Sequence, residues 1–336
     1  MTRNHRKIGS KPLLVLLAVA LTLALINGAG SATINITVNP GKPSYFIGDQ
    51  GTIWGNMTFS AGLGGGLIPD ALVSLEVDNM SGVPIILRTI TTGSAPAPST
   101  ILITSVTSCD PAGNPKYVFP KQDLAYFKVT VNNTDTAPKY AEITLNIFDA
   151  RNVVYEAFTA YKGLLVNGTT TMLFSDPIPQ DISSGNATAY FNVFSALPSA
   201  GGFAYCIEQS TVFSIVGTSP PPLPTPEQPL SGFYNLTFLI DNYQRTRMFR
   251  PGNYSVSANC KYQTEVANAT ATFQVVLRGD INRDGIVDIY DALLLAGSFL
   301  KTIGDPKYNA NADINVDGVV DIYDAIILAG NFGKTA

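Results

Sequence analysis

Polar and apolar side chains alternate along most of the chain between residues 33 and 276. Thr33 to Val38 alternates residue by residue, and Gly51 to Phe59 and Ala71 to Val77 do the same. Clusters of Gly, Pro, Asn and Asp separate these runs. A period of two places successive side chains on opposite faces of a strand, so the pattern predicts a mainly β chain of antiparallel sandwiches rather than alternating strands and helices.

Two proline-rich segments interrupt this β region, at residues 93–99 and 218–229. Segments of this composition tend to be stiff and extended, as linkers are, and we assign a linker to residues 217–231. Between the two segments, residues 100–216 hold about seven strand-like runs, the number in an immunoglobulin-like sandwich. We therefore predict one complete sandwich in residues 100–216.

The remaining β pieces, residues 33–92 and 232–276, are each too short to bury their apolar faces alone. We therefore predict that they close on each other as one discontinuous immunoglobulin-like sandwich, with residues 100–216 inserted between them. Three tandem units are the alternative. With 46% hydrophobic residues the chain has enough apolar side chains for such cores.

The first 32 residues have the layout of a secretory signal peptide. Arg3, Arg6, Lys7 and Lys11 precede an apolar run from Leu13 to Ile26, and small residues follow at 30–32. A retained membrane anchor is the alternative, although the run is short for a membrane span. Without this segment 17 Lys and Arg face 25 Asp and Glu. The resulting net charge of about −8 disfavours a nucleic-acid partner.

Sequons of the form Asn-X-Ser/Thr are frequent in the β region, which supports export and glycosylation. They lie at Asn35, Asn56, Asn79, Asn132, Asn167, Asn186, Asn235, Asn253 and Asn268. The chain has three cysteines, which permit one intramolecular disulfide in an exported protein. Cys109 and Cys206 lie near the two ends of the predicted inserted sandwich, so we predict a disulfide between them and a buried thiol at Cys260.

The region after residue 276 repeats a twelve-residue pattern. The first copy runs from Asp280 to Asp291 and the second from Asp313 to Asp324, 33 residues later. Each copy has oxygen-bearing side chains at positions 1, 3, 5, 9 and 12 and a glycine at position 6, as in a calcium loop of the EF-hand type. The predicted side-chain ligands are Asp280, Asn282, Asp284, Asp288, Asp291, Asp313, Asn315, Asp317, Asp321 and Asp324. Position 7 binds through its backbone carbonyl, here that of Ile286 or Val319.

A short apolar helix is predicted after each loop, beginning at Ile289 and at Ile322. A loop with an exit helix but no entering helix, occurring twice, resembles the dockerin module, of the type I-like kind. The resemblance covers residues 277–334, and we assign residues 277–336 to the module. It implies a small domain with two structural Ca²⁺ ions that docks onto a cohesin domain of another secreted or surface protein.

The predicted docking positions differ from the usual dockerin pattern. Small hydroxyl residues are typical at loop positions 10 and 11, whereas this chain has Ile289 and Tyr290 in the first repeat and Ile322 and Tyr323 in the second. This difference favours an apolar partner surface, so a cohesin-like domain or another extracellular protein is expected. The alternatives are burial of this surface against the protein's own sandwich and packing of the tyrosines within the module.

The sequence predicts no catalytic site. A chain without residues 1–32 has no histidine, and the sequence has no Gly-x-Ser-x-Gly elbow or phosphate loop. We therefore predict a secreted or cell-surface, non-catalytic protein whose sandwiches act as a spacer or adhesive body. One alternative is a carbohydrate-binding component of a polysaccharide-degrading assembly, which requires a row of exposed aromatics such as Tyr126, Phe127, Tyr190 and Phe191. A surface-layer subunit is the other.

Overall fold

A computed structural model describes residues 33–60, 65–93, 99–216, 231–241 and 249–335. The predicted signal peptide at residues 1–32 and nearly all of the predicted linker lie outside the described residues. The chain is mainly β, with several sheets and two helices near its C-terminal end, so the predicted fold class is confirmed. In the described part of the chain, no helix is long and apolar enough to span a membrane.

The first group of strands precedes the region predicted to be inserted. It consists of β1 (Ile34–Ile36), β2 (Asn39–Pro40), β3 (Ser44–Phe46), β4 (Gln50–Phe59), β5 (Leu72–Asp78) and β6 (Pro84–Thr91). The longest of these, β4, alternates between exposed and buried residues because one face covers a core and the other meets solvent.

The second group forms two sheets that pack on each other. Its strands are β7 (Ile101–Cys109), β8 (Val118–Pro120), β9 (Leu124–Asn133), β10 (Lys139–Phe148), β11 (Val154–Leu165), β12 (Gly168–Pro177), β13 (Gly185–Phe194) and β14 (Gln209–Val216). One sheet has the order β11-β10-β13-β14-β8 and the other β12-β9-β7. Phe127, Phe191 and Phe213 meet between them, with ring centroids 5.4 to 5.8 Å apart. We call this unit the inserted sandwich.

The third group returns to the sheets of the first. It consists of β15 (Phe233–Leu239), β16 (Gly252–Tyr262) and β17 (Glu265–Val276). β15 pairs with β4, β16 pairs with β5, and β17 pairs in parallel with β3. The first and third groups therefore share two sheets and one core, which includes Ile53, Val73 and Phe273. We call this unit the first sandwich.

Polar side chains line the contact between the two sandwiches. On β5, Val73, Leu75 and Val77 point into the first core, while Ser74, Glu76 and Asp78 lie buried on the opposite face. Ser74 donates a hydrogen bond to the carbonyl of Gly202 at 3.3 Å, and Asn259 Nδ2 donates to the same carbonyl at 2.8 Å. These bonds satisfy polar groups that the contact removes from water.

The predicted Cys109–Cys206 disulfide is wrong, because all three cysteines are free thiols and buried. Cys206 lies beside the backbone of Ile103, near the start of β7, whereas Cys109 ends the same strand. Six residues of strand span roughly 20 Å, far beyond the Cα separation of about 4 to 7 Å that a disulfide allows. Burial raises the pKa of Cys206 to about 11 and that of Cys260 to about 12.

The C-terminal module follows β17 directly. Its elements are α1 (Ile289–Gly297), β18 (Lys301–Thr302), β19 (Val319–Val320) and α2 (Ile322–Asn331). A separate small core, which includes Leu277, Val287, Leu295, Ile314 and Leu328, holds the two helices together. The chain end closes the module, since Val287 N–H donates to the carbonyl of Lys334 at 2.9 Å and Gly333 N–H donates to the carbonyl of Val287 at 2.8 Å.

Candidate metal centre and docking face

Each twelve-residue loop turns at the glycine in its sixth position. Gly285 has a φ of 89° and Gly318 a φ of 91°, values that a residue with a Cβ atom rarely adopts. Two residues earlier, Arg283 and Val316 also have positive φ angles, of 60° and 61°. The two loops therefore have the same backbone course, as their repeated sequence predicts.

Carboxylates at the first and last positions hold the first loop closed. Asp280 accepts hydrogen bonds from the N–H groups of Asp284 at 3.1 Å and Gly285 at 3.0 Å. Asp291 accepts from the N–H groups of Ile281 at 2.7 Å and Asn282 at 3.1 Å. These bonds draw the carboxylates to the inside of the loop.

The second loop repeats the same bonds. Asp313 accepts from the N–H groups of Asp317 at 3.1 Å and Gly318 at 2.8 Å, and Asp324 accepts from Ile314 at 2.7 Å and Asn315 at 3.1 Å. Matched distances in two loops that lie 33 residues apart follow from matched side chains at the same positions.

The carboxylates at positions 9 and 12 also begin the helices. Asp288 accepts from the N–H of Tyr290 at 2.8 Å, and Asp291 accepts from the N–H of Asp288 at 2.8 Å, which together form a capping box for α1. Asp321 and Asp324 cap α2 in the same way. Loop closure and helix initiation are therefore coupled through shared side chains.

Four of the loop carboxylates are removed from solvent, namely Asp280, Asp291, Asp313 and Asp324. Among the described residues none of the four forms a salt bridge with Lys or Arg. Burial, and then the nearby Asp291 and Asp284, raise the pKa of Asp280 above its usual value. Buried carboxylates within one loop favour a bound cation, because a cation offsets both their desolvation and their mutual repulsion.

The donor chemistry of the loops fits Ca²⁺, because their predicted ligand atoms are all oxygens and a hard cation prefers oxygen. In residues 278–335, as in the rest of the described chain, no group of three or more His, Cys, Asp or Glu side chains is placed so that it could hold a metal ion. The carboxylates are instead turned toward the N–H groups of the loop. Asp291 Oδ1 accepts two N–H groups, whereas its Oδ2 accepts one and retains a second lone pair for a cation, and the oxygens of Asp324 are used in the same way.

The predicted docking positions lie on the exposed side of the two helices. Ile289 is 57% exposed and Tyr290 63%, and the corresponding Ile322 and Tyr323 are 56% and 63% exposed. One turn further on, Leu293 and Ile326 are also exposed. The six side chains Ile289, Tyr290, Leu293, Ile322, Tyr323 and Ile326 define what we call the docking face.

The C-terminal module also contacts the first sandwich, a feature that the sequence did not predict. Arg278 donates to Asp49 at 2.7 Å, and its guanidinium lies 4.8 Å from the ring centroid of Phe46. Arg283 donates to Gln274 on β17 at 2.7 Å and to Asn311 at 3.0 Å. The absence of a linker between β17 and the first loop was the available signal for this contact. The docking face remains exposed.

The C-terminal module has a family assignment. Residues 278–332 match the dockerin type I domain, which confirms the predicted resemblance. Type I dockerin domains typically bind calcium, dockerin domains bind cohesin domains, and dockerin modules occur in extracellular proteins. The matched residues do not include any part of either sandwich.

The other comparisons do not assign the sandwiches. No curated protein matches the sequence. Among solved structures, the C-terminal domain of wzt is 11% identical over 36% of this chain and 76% of its own, with a TM-score of 0.30. A Bacteroides uniformis beta-glucuronidase is 7% identical over 49% of this chain and 26% of its own, with a TM-score of 0.27. The E. coli alpha-2-macroglobulin is 9% identical over 74% of this chain and 22% of its own, with a TM-score of 0.24. Likenesses this weak assign neither a fold family nor an activity.

Proposed function

We propose that this protein is a secreted or cell-surface, non-catalytic attachment protein. Its C-terminal module binds two calcium ions and docks onto a cohesin-like domain of another extracellular protein, and its two sandwiches act as a spacer or adhesive body. The observation that carries the proposal is the docking face, in which the same three apolar positions are exposed on both helices of a module that matches a dockerin domain.

The loop side chains supply the metal site in this proposal. Bound calcium would supply the positive charge that offsets the loop carboxylates. The ligands are the side chains at positions 1, 3, 5, 9 and 12 and the backbone carbonyls of Ile286 and Val319. Because Asp291 and Asp324 both close a loop and cap a helix, they transmit the metal-bound loop geometry to the docking face on α1 and α2.

The docking face provides the partner contact. Large apolar side chains rarely cluster on a surface without a partner, and tyrosine is enriched among the residues that dominate binding energy. The face has no charged residue among its six members, so an apolar surface on the cohesin-like partner complements it. The hydrophobic Ile and Tyr at loop positions 10 and 11 thereby act as specificity positions.

The aromatic residues of the inserted sandwich favour this proposal over a carbohydrate-binding body. Phe127 and Phe191 are fully buried in its core. Tyr190 packs against Arg88 and Phe148 at the contact between the sandwiches. Of the four candidate aromatics, only Tyr126 lies outside these buried contacts. The four therefore do not form the row of exposed aromatic rings that binding to a flat polysaccharide requires.

Calcium-dependent capture tests the proposal. The full chain and a chain ending at Val276 are titrated against a panel of cohesin domains by isothermal calorimetry, in calcium and in excess chelator. We expect the full chain to bind at least one cohesin in calcium and not in chelator, and the shortened chain to bind none. Binding that persists in chelator, or that the shortened chain retains, argues for a different attachment mode.

A further inference from the structure

The single tryptophan of the chain lies on the outer surface of the first sandwich, directly across a strand pair from a sequon asparagine. Trp54 on β4 is the register partner of Asn235 on β15. Their neighbours Ile53 and Leu236 are also partners and are buried in the core. Side chains alternate along a strand, so Trp54 and Asn235 both point outward.

Directly opposed residues of an antiparallel pair have Cβ atoms about 5 Å apart. A group attached to Asn235 Nδ2 therefore starts within reach of the indole of Trp54. That indole is 45% exposed, an unusual state for the largest apolar side chain. The C–H face of a sugar ring is apolar and can pack on an exposed aromatic ring.

The third residue of this sequon has a hydroxyl that the fold does not use. Thr237 Oγ1 is buried and, among the described residues, has no hydrogen-bond partner. A turn of the inserted sandwich contacts the same residue, since Asn152 Nδ2 donates to the backbone carbonyl of Thr237 at 2.9 Å. A buried hydroxyl without a hydrogen-bond partner destabilises the folded chain. Packing therefore favours valine at this position, whereas an Asn-X-Thr sequon requires the hydroxyl.

In the described chain, the asparagines that lie in sequons and the asparagines that are buried are different residues. None of the nine sequon asparagines is buried, whereas Asn133, Asn146, Asn192 and Asn259 are buried and stand outside sequons. An attached glycan requires a solvent-accessible asparagine, and Asn235 is among the six that are exposed, whereas Asn56, Asn79 and Asn132 are half-buried.

We propose that Asn235 is N-glycosylated and that the first sugar of its glycan packs on the indole of Trp54. In this reaction Asn235 Nδ2 forms a bond to the anomeric carbon of an oligosaccharide carried on a lipid diphosphate. The bond from that carbon to the diphosphate oxygen breaks, and the lipid diphosphate leaves with the electron pair and takes up the proton lost by the amide. Because Thr237 Oγ1 is buried in the folded chain, the transfer precedes the folding step that buries this hydroxyl.

The test uses the full chain isolated from its source cells, with mass spectrometry of the peptide that contains Asn235 and with tryptophan fluorescence. Since the chain has one tryptophan, all tryptophan emission reports on Trp54. We expect a glycan on Asn235. In Asn235→Gln we expect a red shift of the emission maximum and a rise in the iodide quenching constant, because removal of the glycan exposes the indole to water.

Two further substitutions keep the test independent of misfolding at Asn235. Thr237→Val removes the sequon but leaves Asn235 in place, and we expect the same red shift. Thr237→Ser retains the sequon, and we expect the wild-type emission. Asn35→Gln is the matched control on the same sheet, because the partner of Asn35 is Thr58, four residues along β4 from Trp54. We expect no change in this control.

An unmodified Asn235 in the exported chain overturns the proposal. So does a modified Asn235 whose loss in Asn235→Gln and Thr237→Val leaves the emission and quenching of Trp54 unchanged. Failure of either kind is independent of calcium-dependent docking, because Asn235 and Trp54 lie in the first sandwich and not in the C-terminal module.

Discussion

Arg88 on β6 of the first sandwich forms a bidentate ion pair with Glu208 of the inserted sandwich. Arg88 Nε lies 2.9 Å from Glu208 Oε2, and the same oxygen accepts a hydrogen bond from the N–H of Thr89 at 2.9 Å. The guanidinium also lies 3.5 Å from the ring centroid of Tyr190. Both partners are largely buried, so the pair fixes how the two sandwiches meet.

Removal of one partner is expected to destabilise the chain strongly. In Glu208→Ala the Arg88 guanidinium stays buried without its counter-charge, which costs about 3 to 5 kcal/mol. Urea unfolding measures the loss in the free energy of unfolding. The control is Lys116→Ala, which breaks the exposed pair with Asp123 and is expected to cost less than about 1 kcal/mol. Equal effects of the two substitutions contradict this account of the contact.

The buried carboxyl of Asp78 predicts an unusual pH dependence. Burial, and then the neighbouring Glu76, raise the pKa of Asp78 from 3.8 to about 7. Between these values the folded chain holds a proton that the unfolded chain has released, so stability falls as the pH rises. The stabilising contribution of protonated Asp78 is fully present below about pH 4 and lost above about pH 7. In the wild type the free energy of unfolding is expected to fall by roughly 2 to 4 kcal/mol over this interval, and Asp78→Asn is expected to abolish that fall.

The measurement is the free energy of urea unfolding as a function of pH in both chains. Asp110→Asn is the control, because hydrogen bonds from Asn114 lower the pKa of Asp110 and its contribution therefore has the opposite sign. If wild type and Asp78→Asn lose the same stability over this interval, Asp78 is ionised in the folded chain.

Part of this architecture could be predicted from the sequence. The sequence predicts the two loops because a metal loop requires particular residue types at fixed positions, and here the pattern occurs twice. The fold class followed from alternation, as in β4, where exposed and buried residues alternate almost perfectly. These signals are local, so they are readable without tertiary contacts.

The remaining features depend on contacts between distant residues. Alternation on β5 predicts a solvent-facing row of Ser74, Glu76 and Asp78, but the inserted sandwich covers that face and buries all three. The wrong disulfide has a similar cause. Nearness to a domain end along the sequence does not show which end of β7 lies beside Cys206.

Calcium stoichiometry tests the two loops separately. Asp291→Ala and Asp324→Ala each remove a predicted ligand and the cap of one helix, so each variant is expected to bind one ion where the wild type binds two. Each ion stabilises the folded chain by about 2.7 kcal/mol when free calcium exceeds the dissociation constant a hundredfold. Isothermal calorimetry gives the stoichiometry, and thermal unfolding in calcium and in chelator gives the stabilisation.

The control for the calcium experiment is Asp305→Ala. Asp305 lies between the two loops and forms an exposed salt bridge with Lys301, so its loss is expected to leave two ions bound. An unchanged stoichiometry in both Asp291→Ala and Asp324→Ala excludes these loops as the calcium sites.

Substitutions on the docking face test partner binding. Because Tyr290 and Tyr323 are each 63% exposed, alanine at both positions is expected to leave the melting temperature nearly unchanged. Affinity for the captured cohesin-like partner is expected to fall at least about tenfold, equivalent to about 1.4 kcal/mol, because exposed tyrosines at an interface contribute strongly to binding. Tyr117→Ala is the matched control, since Tyr117 is 55% exposed on the inserted sandwich. Unchanged affinity in the double variant places the partner contact elsewhere, whereas a loss that accompanies unfolding indicates that the tyrosines support the module itself.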